Sequence, residues 1–359
     1  MSVVRLLLPV VFICALCSCG VRSGDKSTSD SLLYKAQYAE RFELRQHGDT
    51  LLFVVKDPWQ GAQNERKEYH IREPLRRIIC LSSTHVAFLD ALGCVDRIVG
   101  VSGRQFIMNP AVANVADVGY DKNLVYELIV SLRADAVFVY DVAGESSAQY
   151  QKLESLGVPI VYIADYLEQN PLGRAEWIVA FGALTGQMER AQQIFLQIAQ
   201  RYNSIKDELS TKVVVRPKVM LNSPYRDVWY LPGDRSYMAR LLKDAQVDYL
   251  GAGDDSDKSR AISVETAYQM VGQADYWLSP GVAITSLAQL KAENHRFEGA
   301  RVLQQGMVFH SSKRHTAAGG SDFWESGALR ADVVLRDLAT IFYSELFPND
   351  SLYYFDRLK

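Results

Sequence analysis

Short apolar segments alternate with helical segments through most of this chain of 359 residues. The apolar segments, such as RRIICL at 76–81 and AVFVY at 136–140, are continuous rather than alternating with polar residues. Strands of this kind are buried on both faces, as they are in a parallel sheet that is covered by helices on both sides. The alternation therefore predicts an α/β fold with mainly parallel sheets.

A long segment without strands divides the alternating pattern. Residues 174–210 are predicted to form a helical connector, and apolar residues keep helical spacing without interruption from Gln187 to Leu209. A helix of about 22 residues is ~33 Å long, which suits a connector between domains.

The regions on the two sides of the connector repeat one order of features. In each region an early helix glutamate, Glu127 or Glu265, is followed by an Ala-Asp pair and then by an apolar strand. The sequence thus predicts two similar Rossmann-like lobes, at 76–173 and 211–359, with a ligand cleft between them.

The N-terminus has the pattern of an export signal. Arg5 precedes an apolar run from Leu6 to Leu16, which is too short to span a membrane but fits the apolar core of a signal peptide. The run ends in LCSCG, which resembles a bacterial lipobox and predicts removal of residues 1–18 and lipid attachment to Cys19. The alternative is a signal peptide cut elsewhere, with Cys19 an ordinary thiol.

Two segments separate Cys19 from the first lobe. Residues 19–31 are mostly small and polar, which predicts a flexible tether. In 32–75 we predict a β-hairpin at 40–57 and a polar loop at 60–69. In the first lobe, Cys80 and Cys94 are expected to pack as small apolar residues, and whether they form a disulfide is left open.

Composition and missing motifs exclude several function classes. The net charge of −3 argues against a dedicated nucleic-acid binder. The chain lacks the GxGxxG, GxxxxGK[ST], GxSxG and HExxH motifs. His310 and His315 lie in a Ser/Lys-rich loop that we expect to face solvent or ligand, and the acidic residues at 254–257 fit a solvated turn. We therefore predict no enzyme, no resident cofactor and no metal site.

Aromatic, polar and arginine residues follow the predicted strands. Because ligands bind at the carboxyl ends of strands in such sheets, these residues are candidates for the cleft. Rings supply contact area, and arginine binds carboxylate or phosphate through two hydrogen bonds. The alternatives are lobe packing for the aromatic residues and surface ion pairs for the arginines. The predicted ligand-binding residues are Thr84, His85, Arg104, Tyr140, Tyr225, Trp229, Tyr237, Arg314 and Trp324.

Several segments resemble periplasmic binding proteins that serve ABC importers of iron-siderophores, haem and cobalamin. The resemblance covers about 76–345 and rests on RRIICLSSTHVAFLDALGCVDRIVGV, NLVYELIVSLRADAVFVY, LESLGVPIVYI, SVETAYQMVGQADYWL and GGSDFWESGALRADVVLRDLATIF. It implies a stiff connecting helix, small closure of the lobes, and Glu127 and Glu265 as carboxylates that dock on permease arginines. The alternative for Glu127 is an ordinary solvated helix residue, and the alternative for Glu265 is an acidic residue favoured by the helix dipole at a helix start.

The resemblance also implies what the protein does. We expect a lipid-anchored monomer on the outer side of a bacterial membrane that delivers a metal chelate to a permease with its ATPase. An iron chelate, either a ferric siderophore or haem, is preferred to cobalamin. A chelatase-like enzyme on the same architecture and a structural lipoprotein also stay open at this point.

Overall fold

The computed structural model describes residues 30–142, 144, 147–225, 228–279, 284, 286–293 and 295–359. The predicted signal peptide and Cys19 lie outside these residues. None of the helices in the described ranges is long and apolar enough to cross a membrane. The described chain begins with an antiparallel sheet in the order β1-β2-β3-β4, formed by β1 (Ser31–Tyr34), β2 (Phe42–His47), β3 (Thr50–Lys56) and β4 (Arg66–Ile71).

The N-terminal sheet corrects one prediction. The hairpin at 40–57 is confirmed as β2 and β3, but the predicted loop at 60–69 contains the start of β4. This segment escaped prediction because its exposed face carries charged residues, with Arg66 and Glu68 facing solvent and Tyr69 facing inward. A strand at a sheet edge can alternate in this way without an apolar run.

Two buried glutamates hold this sheet on the first lobe and on the connector that follows it. Glu176 accepts hydrogen bonds from the Tyr34 hydroxyl and from three consecutive backbone N–H groups at 37–39, at 2.7–2.8 Å. Glu168 accepts from the backbone N–H groups of residues 40 and 41 and from the Trp177 indole. Buried carboxylates are tolerated when several donors surround them, so the sheet and the lobe form one packed unit.

The first lobe has a parallel sheet in the order β7-β6-β5-β10-β11. Its elements are β5 (Ile78–Cys80), α1 (Ser83–Ala91), β6 (Ile98–Val101), β7 (Ala116–Asp117), β8 (Gly119–Tyr120), β9 (Asn123–Leu124), α2 (Tyr126–Ser131), β10 (Ala136–Val139), α3 (Ser147–Ser155) and β11 (Ile160–Tyr162). Strands β5, β10 and β11 are buried along their whole length, which confirms the interpretation of their continuous apolar runs. Cys80 and Cys94 are buried free thiols.

The connector consists of two helices rather than one. Helix α4 (Pro171–Thr185) is almost entirely buried, and α5 (Met188–Lys212) presents one apolar face to the core. Gly186 ends α4 with φ of 69°, a left-handed conformation in which glycine carries no penalty. The predicted uninterrupted helical pattern from residue 187 corresponds to α5.

The second lobe has a sheet in the order β15-β12-β17-β18-β19, parallel except for β19, and a smaller antiparallel sheet β13-β14-β16. Its elements are β12 (Lys218–Leu221), β13 (Pro224–Tyr225), β14 (Val228–Pro232), α6 (Tyr237–Asp244), β15 (Asp248–Tyr249), β16 (Ser259–Ser263), α7 (Val264–Gln273), β17 (Tyr276–Leu278), α8 (Leu287–Glu293), α9 (Arg301–Gln304), β18 (Val308–His310), α10 (Asp322–Glu325), α11 (Ala331–Phe342) and β19 (Asp356–Arg357).

The two main sheets share one strand order. When the strands of each lobe are counted along the chain, omitting β7 and β19 at the edges, both sheets read 2-1-3-4. The predicted duplication and the two-lobed α/β fold are therefore confirmed. Helix α2 begins at Tyr126, shortly after Asn123 and Leu124 of β9. Ser263 caps α7, with its hydroxyl accepting a hydrogen bond from the backbone N–H of Thr266.

Candidate ligand cleft

The strand order places a crevice in each lobe. In the first lobe β5 lies between β6, which follows it in the chain, and β10, which joins the sheet later on the other side. In the second lobe β12 lies in the same way between β15 and β17. Neighbouring connections that diverge in this way open a gap at the carboxyl ends of the strands, where ligands bind in such sheets. The gap lies after β5 and β10 in the first lobe and after β12 and β17 in the second.

A cavity of about 300 Å³ occupies the crevice of the second lobe. Residues that directly follow β12, β17 and β18 form its floor, and α10 contributes its aromatic side chains. Its volume is at the lower end of the range for small-molecule sites. The cavity is lined by Leu221, Asn222, Pro232, Met238, Ser279, His310, Ser311, Ser312, Phe323 and Trp324.

Two floor residues adopt the left-handed backbone conformation that non-glycine residues rarely use. Asn222 and Ser279 have φ of 65° and 55° at the ends of β12 and β17. The backbone N–H of Asn222 donates to the Leu278 carbonyl, and the N–H of Ser279 donates to that of Phe309. Unfavourable backbone conformations persist where surrounding contacts enforce them and occur often at binding sites.

His310 is the titratable side chain on this floor. It is half-buried, and its Nδ1 pairs with the Ser312 hydroxyl. Burial lowers the pKa of His310 below its usual value of 6.5, an effect that nearby Asp356 partly offsets. The imidazole is therefore neutral at pH 7, the state in which a ring nitrogen can bind a metal.

Tyrosines follow the strands of the first lobe. Tyr140 follows β10 and contacts Tyr166 edge to face, with 5.9 Å between ring centroids. Tyr120, the half-exposed last residue of β8, contacts Phe106 in a tilted arrangement with 4.7 Å between ring centroids. Burial raises the pKa of Tyr140, and the nearby Tyr120 adds to this effect. The first lobe thus contributes an aromatic wall next to its crevice.

Tyr237 lies where the connector passes between the lobes. Its ring contacts the guanidinium of Arg174 in α4, at 5.4 Å from the centroid, and Arg174 forms a buried ion pair with Asp165. Burial raises the pKa of Tyr237, whereas Arg174 opposes that shift. This cluster links the end of the first sheet to the start of α6, so Tyr237 has a packing role at the junction.

Two predicted ligand-binding residues lie in the interior instead. His85 is fully buried in α1 between the rings of Phe138 and Phe181, and burial lowers its pKa to about 3. Trp229 is fully buried and donates its indole N–H to the Leu221 carbonyl. Strand alternation explains the second error, because the next residue, Tyr230, is the exposed one.

The two predicted arginines are engaged outside the cavity floor. Arg104 donates to the Val115 carbonyl on the flank of the first lobe. Arg314 pairs with Asp322 at 2.5 Å and lies over the Tyr353 ring at 4.6 Å. Both follow strands in sequence, but the loops direct their guanidinium groups into local contacts.

The remaining predicted cleft residues have different surroundings. Thr84 is buried in the first turn of α1 with its hydroxyl paired to Ser82, so Ser82 and Ser83 are the partly exposed residues there. Tyr225 lies in β13, and its side chain lies outside the described residues. Trp324 lines the cavity and is 45% exposed, which keeps it as the leading aromatic candidate.

Sequence reasoning missed the polar floor. Asn222 and Ser279 directly follow β12 and β17, and Ser311 and Ser312 are the first two residues after β18. That position was the available signal, but these small polar residues were not distinguished from ordinary turn residues. Among the described residues, no group of three or more His, Cys, Asp or Glu side chains is arranged to hold a metal.

The two predicted docking carboxylates occupy equivalent positions. Glu127 and Glu265 are both exposed, and each is the second residue of its helix, α2 and α7. Glu265 lies 3.6 Å from Arg296, and hydrogen bonds from its own backbone N–H and Ser263 lower its pKa. One exposed carboxylate on each lobe is therefore available to a partner.

Comparison with known proteins identifies the family. The model of the periplasmic binding protein family matches residues 78–313, which include the strand ends at both crevices but not Phe323 and Trp324 of the cavity lining. The chain belongs to this family. The match leaves the N-terminal β-sheet outside the family region. The resemblance drawn from the sequence motifs is thus confirmed.

Similar proteins support the same assignment. An uncharacterized lipoprotein of Methanocaldococcus jannaschii is 29% identical over 300 residues, which cover 79% of this chain and 69% of the relative. A periplasmic haem-binding protein of Pseudomonas aeruginosa has a TM-score of 0.61 at 18% identity, covering 79% of this chain and 98% of that one. A molybdate-bound periplasmic protein of Haemophilus influenzae has a TM-score of 0.62 at 16% identity, covering 83% and 94%. At these identities the two structures establish the fold.

Proposed function

We propose that this protein is the lipid-anchored solute-binding component of an ABC importer, and that it captures an iron chelate. Its ligand lies between the lobes, is bound without chemical change, and passes to a membrane permease whose ATPase supplies energy. The observation that carries the proposal is the cavity at the carboxyl ends of the second sheet, where Trp324 and His310 lie on one lining.

The lining fits a flat or apolar part of an organic ligand, since the cavity has a volume of about 300 Å³. Trp324 and Phe323 contact each other edge to face at 4.7 Å, and Met238 and Pro232 add apolar surface. Ser311, Ser312 and Asn222 supply hydrogen-bond donors and acceptors. A mostly apolar pocket with a few polar groups is typical of sites for organic ligands of this size.

His310 is the residue that would distinguish haem from a ferric siderophore as the bound chelate. Haem iron takes a protein side chain as an axial ligand, and neutral imidazole is the common one. A hexadentate siderophore fills all coordination positions of its iron and needs no protein ligand. The pairing of Nδ1 with Ser312 orients the ring, as hydrogen bonds to metal-binding histidines generally do. These features favour haem, while a siderophore fits the same apolar lining.

Export and anchoring follow from the N-terminal sequence and the relatives. We propose that the lipid is attached to Cys19 in LCSCG and that residues 19–31 serve as the tether that their composition predicts. The relative from M. jannaschii carries the description lipoprotein. A lipid anchor with several acyl chains keeps the protein at the membrane that holds the permease.

Titration of the mature chain, purified in detergent, tests the proposed ligand class. Haemin, a ferric hydroxamate siderophore and cobalamin are each added while tryptophan emission is recorded. We expect saturable quenching by one iron chelate, with Trp324 as the responding ring, because Trp177, Trp229 and Trp277 are fully buried and the partly exposed Trp59 packs against Tyr162 and does not line the cavity. Binding of cobalamin alone would transfer the assignment to that ligand, and a chemically altered chelate would indicate an enzyme.

Delivery to the permease is tested at the two exposed glutamates. We expect Glu127→Ala combined with Glu265→Ala to leave chelate affinity within about twofold, because neither carboxylate lines the cavity. Uptake by cells should fall strongly, since two charge pairs with the permease are lost. The exposed Glu298 provides the control substitution, Glu298→Ala. Loss of chelate affinity in the double variant would contradict the docking role.

A further inference from the structure

Helix α10 separates the ligand cavity from a second cavity at the lobe junction. Trp324 faces the ligand cavity, and the adjacent Glu325 lines the second, which has a volume of about 420 Å³. Residues of α1 and of the loop 108–110 form one wall of the second cavity. The cavity lies between the two halves of the chain, and its other wall is formed by Arg314, Asp322, Glu325, Ser326, Leu329, Arg330 and Tyr353.

Glu325 connects the walls through two hydrogen bonds. Its Oε2 accepts from the backbone N–H of Met108 at 2.7 Å, and its Oε1 accepts from that of Asn109 at 3.0 Å. The side chain is buried, with 3% of its residue surface exposed. These two donors offset part, but not all, of the cost of burying an ionised carboxylate at the junction.

The helix that carries Glu325 is fixed to the second lobe. Phe323 packs against Tyr354 and Phe355, the residues that lead into β19. The hydroxyl of Ser326 pairs with that of Tyr354 at 2.8 Å. The two bonds of Glu325 therefore join the second lobe to a loop of the first.

Gly320 brings the same segments into direct contact. A Cβ on this residue would lie 1.8 Å from the Phe106 carbonyl oxygen, which is far inside van der Waals contact. The close approach occurs two residues from Met108, the donor to Glu325. Only glycine lets the two backbones approach this closely.

We propose that Glu325 is a positioning residue, which together with the contact at Gly320 fixes the spacing of the two lobes and so sets the affinity of the cleft. The proposal rests on the proposed function, because it takes the cleft as the ligand site. Since α10 carries both Trp324 and Glu325 and is fixed to the second lobe, a change in junction spacing alters the distance between the Trp324 ring and the first-lobe side of the cleft.

The surroundings of Glu325 make the junction sensitive to pH. Burial raises the pKa of Glu325 from 4.5 to about 7; the two backbone N–H donors oppose this shift, and Asp322 and Asp90 add to it. The loop 106–110 contributes no charged side chain. The charged and titratable groups that line the cavity with Glu325 are Asp90, Arg314, Asp322, Arg330 and Tyr353.

The direction of the pH effect follows from proton linkage. Opening the junction hydrates Glu325 and returns its pKa toward 4.5, so the closed junction binds the proton more tightly. The proton on Glu325 therefore favours the closed junction fully below pH 4.5, and this effect is lost as the pH rises through about 7. The ratio of closed to open molecules then falls by at most about tenfold between pH 6 and pH 8.

Inter-lobe distances test the proposal without any ligand. Spin labels are attached at Leu156→Cys in the first lobe and Glu298→Cys in the second, both exposed positions, in the mature chain in detergent. Distance distributions are measured between pH 5.5 and pH 8.5. We expect the wild-type distribution to broaden as the pH rises through about 7. Glu325→Gln should remove the pH dependence, because it has no proton to lose in this range.

Two glycine variants give a measurement that does not involve Glu325. Gly320→Ala should widen the distribution at every pH, whereas Gly299→Ala, whose added methyl group meets nothing within 4 Å, should leave it unchanged. Haemin and ferric siderophore affinity should weaken about tenfold in Glu325→Ala and Gly320→Ala. Unchanged distances in Gly320→Ala, or wild-type pH dependence in Glu325→Gln, would overturn the proposal. If the distances respond but neither chelate binds, the ligand assignment fails and the role of Glu325 in lobe spacing stands.

Discussion

Replacement of Trp324 by alanine should weaken chelate binding by about 100-fold. The residue is 45% exposed, and a ligand that binds against the ring would cover this exposed surface. For a side chain of about 250 Å², this is roughly 110 Å² of apolar area. At about 25 cal/mol per Å² the loss is ~2.8 kcal/mol, which corresponds to the 100-fold change in Kd.

The assay is a titration with haemin and a ferric siderophore, followed by absorbance and by tryptophan emission. Tyr268→Ala is the matched control, because Tyr268 is 49% exposed in the same lobe but does not line the cavity. The melting temperature of Trp324→Ala should stay close to wild type, since the ring is not part of the apolar core. A Kd within threefold of wild type would refute the reasoning that this ring faces the ligand.

The remaining predictions concern one buried carboxylate and one imidazole that the structure singles out. Glu176→Gln should lower the free energy of unfolding by about 3–5 kcal/mol in urea denaturation. The reason is that the new amide group would face two backbone N–H groups whose hydrogen bonds the carboxylate now accepts. The control Glu298→Gln should change the free energy of unfolding by less than about 0.5 kcal/mol. His310→Ala should weaken haemin binding at least tenfold and leave a saturated siderophore unaffected. Because burial holds the pKa of His310 below 6.5, wild-type haemin affinity should fall only as the pH drops below that value; equal affinity of both proteins for haemin would show that the imidazole is not a ligand.

Most of the architecture was predictable from local patterns. The continuous apolar runs of β5, β10 and β11 indicated strands covered on both faces, and the structure buries all three. The run from Gln187 predicted α5 because its apolar spacing is helical over many turns. Strand β4 was missed because half of its residues face solvent, and a short polar strand has the same composition as a loop.

The cleft was predicted less well than the fold. A residue that follows a strand lies at the correct edge of the sheet, which placed Trp324 and His310 near the cavity. The same criterion failed for His85 and Trp229, since one belongs to a buried helix face and the other to the inward side of a strand. The direction of a side chain at a strand end depends on the next turn, which short sequence patterns do not specify.

The sequence by itself determined the two α/β lobes, the helical connector and the positions of Glu127 and Glu265, since these follow from the period of apolar residues and from the order of motifs. The tertiary structure alone decided the contents of the cavity and the contacts of Glu325 with Met108 and Asn109, more than 200 positions earlier in the chain. Periodicity encodes which face of an element is buried. It does not encode which distant element covers that face, because packing between segments far apart in sequence depends on the whole fold.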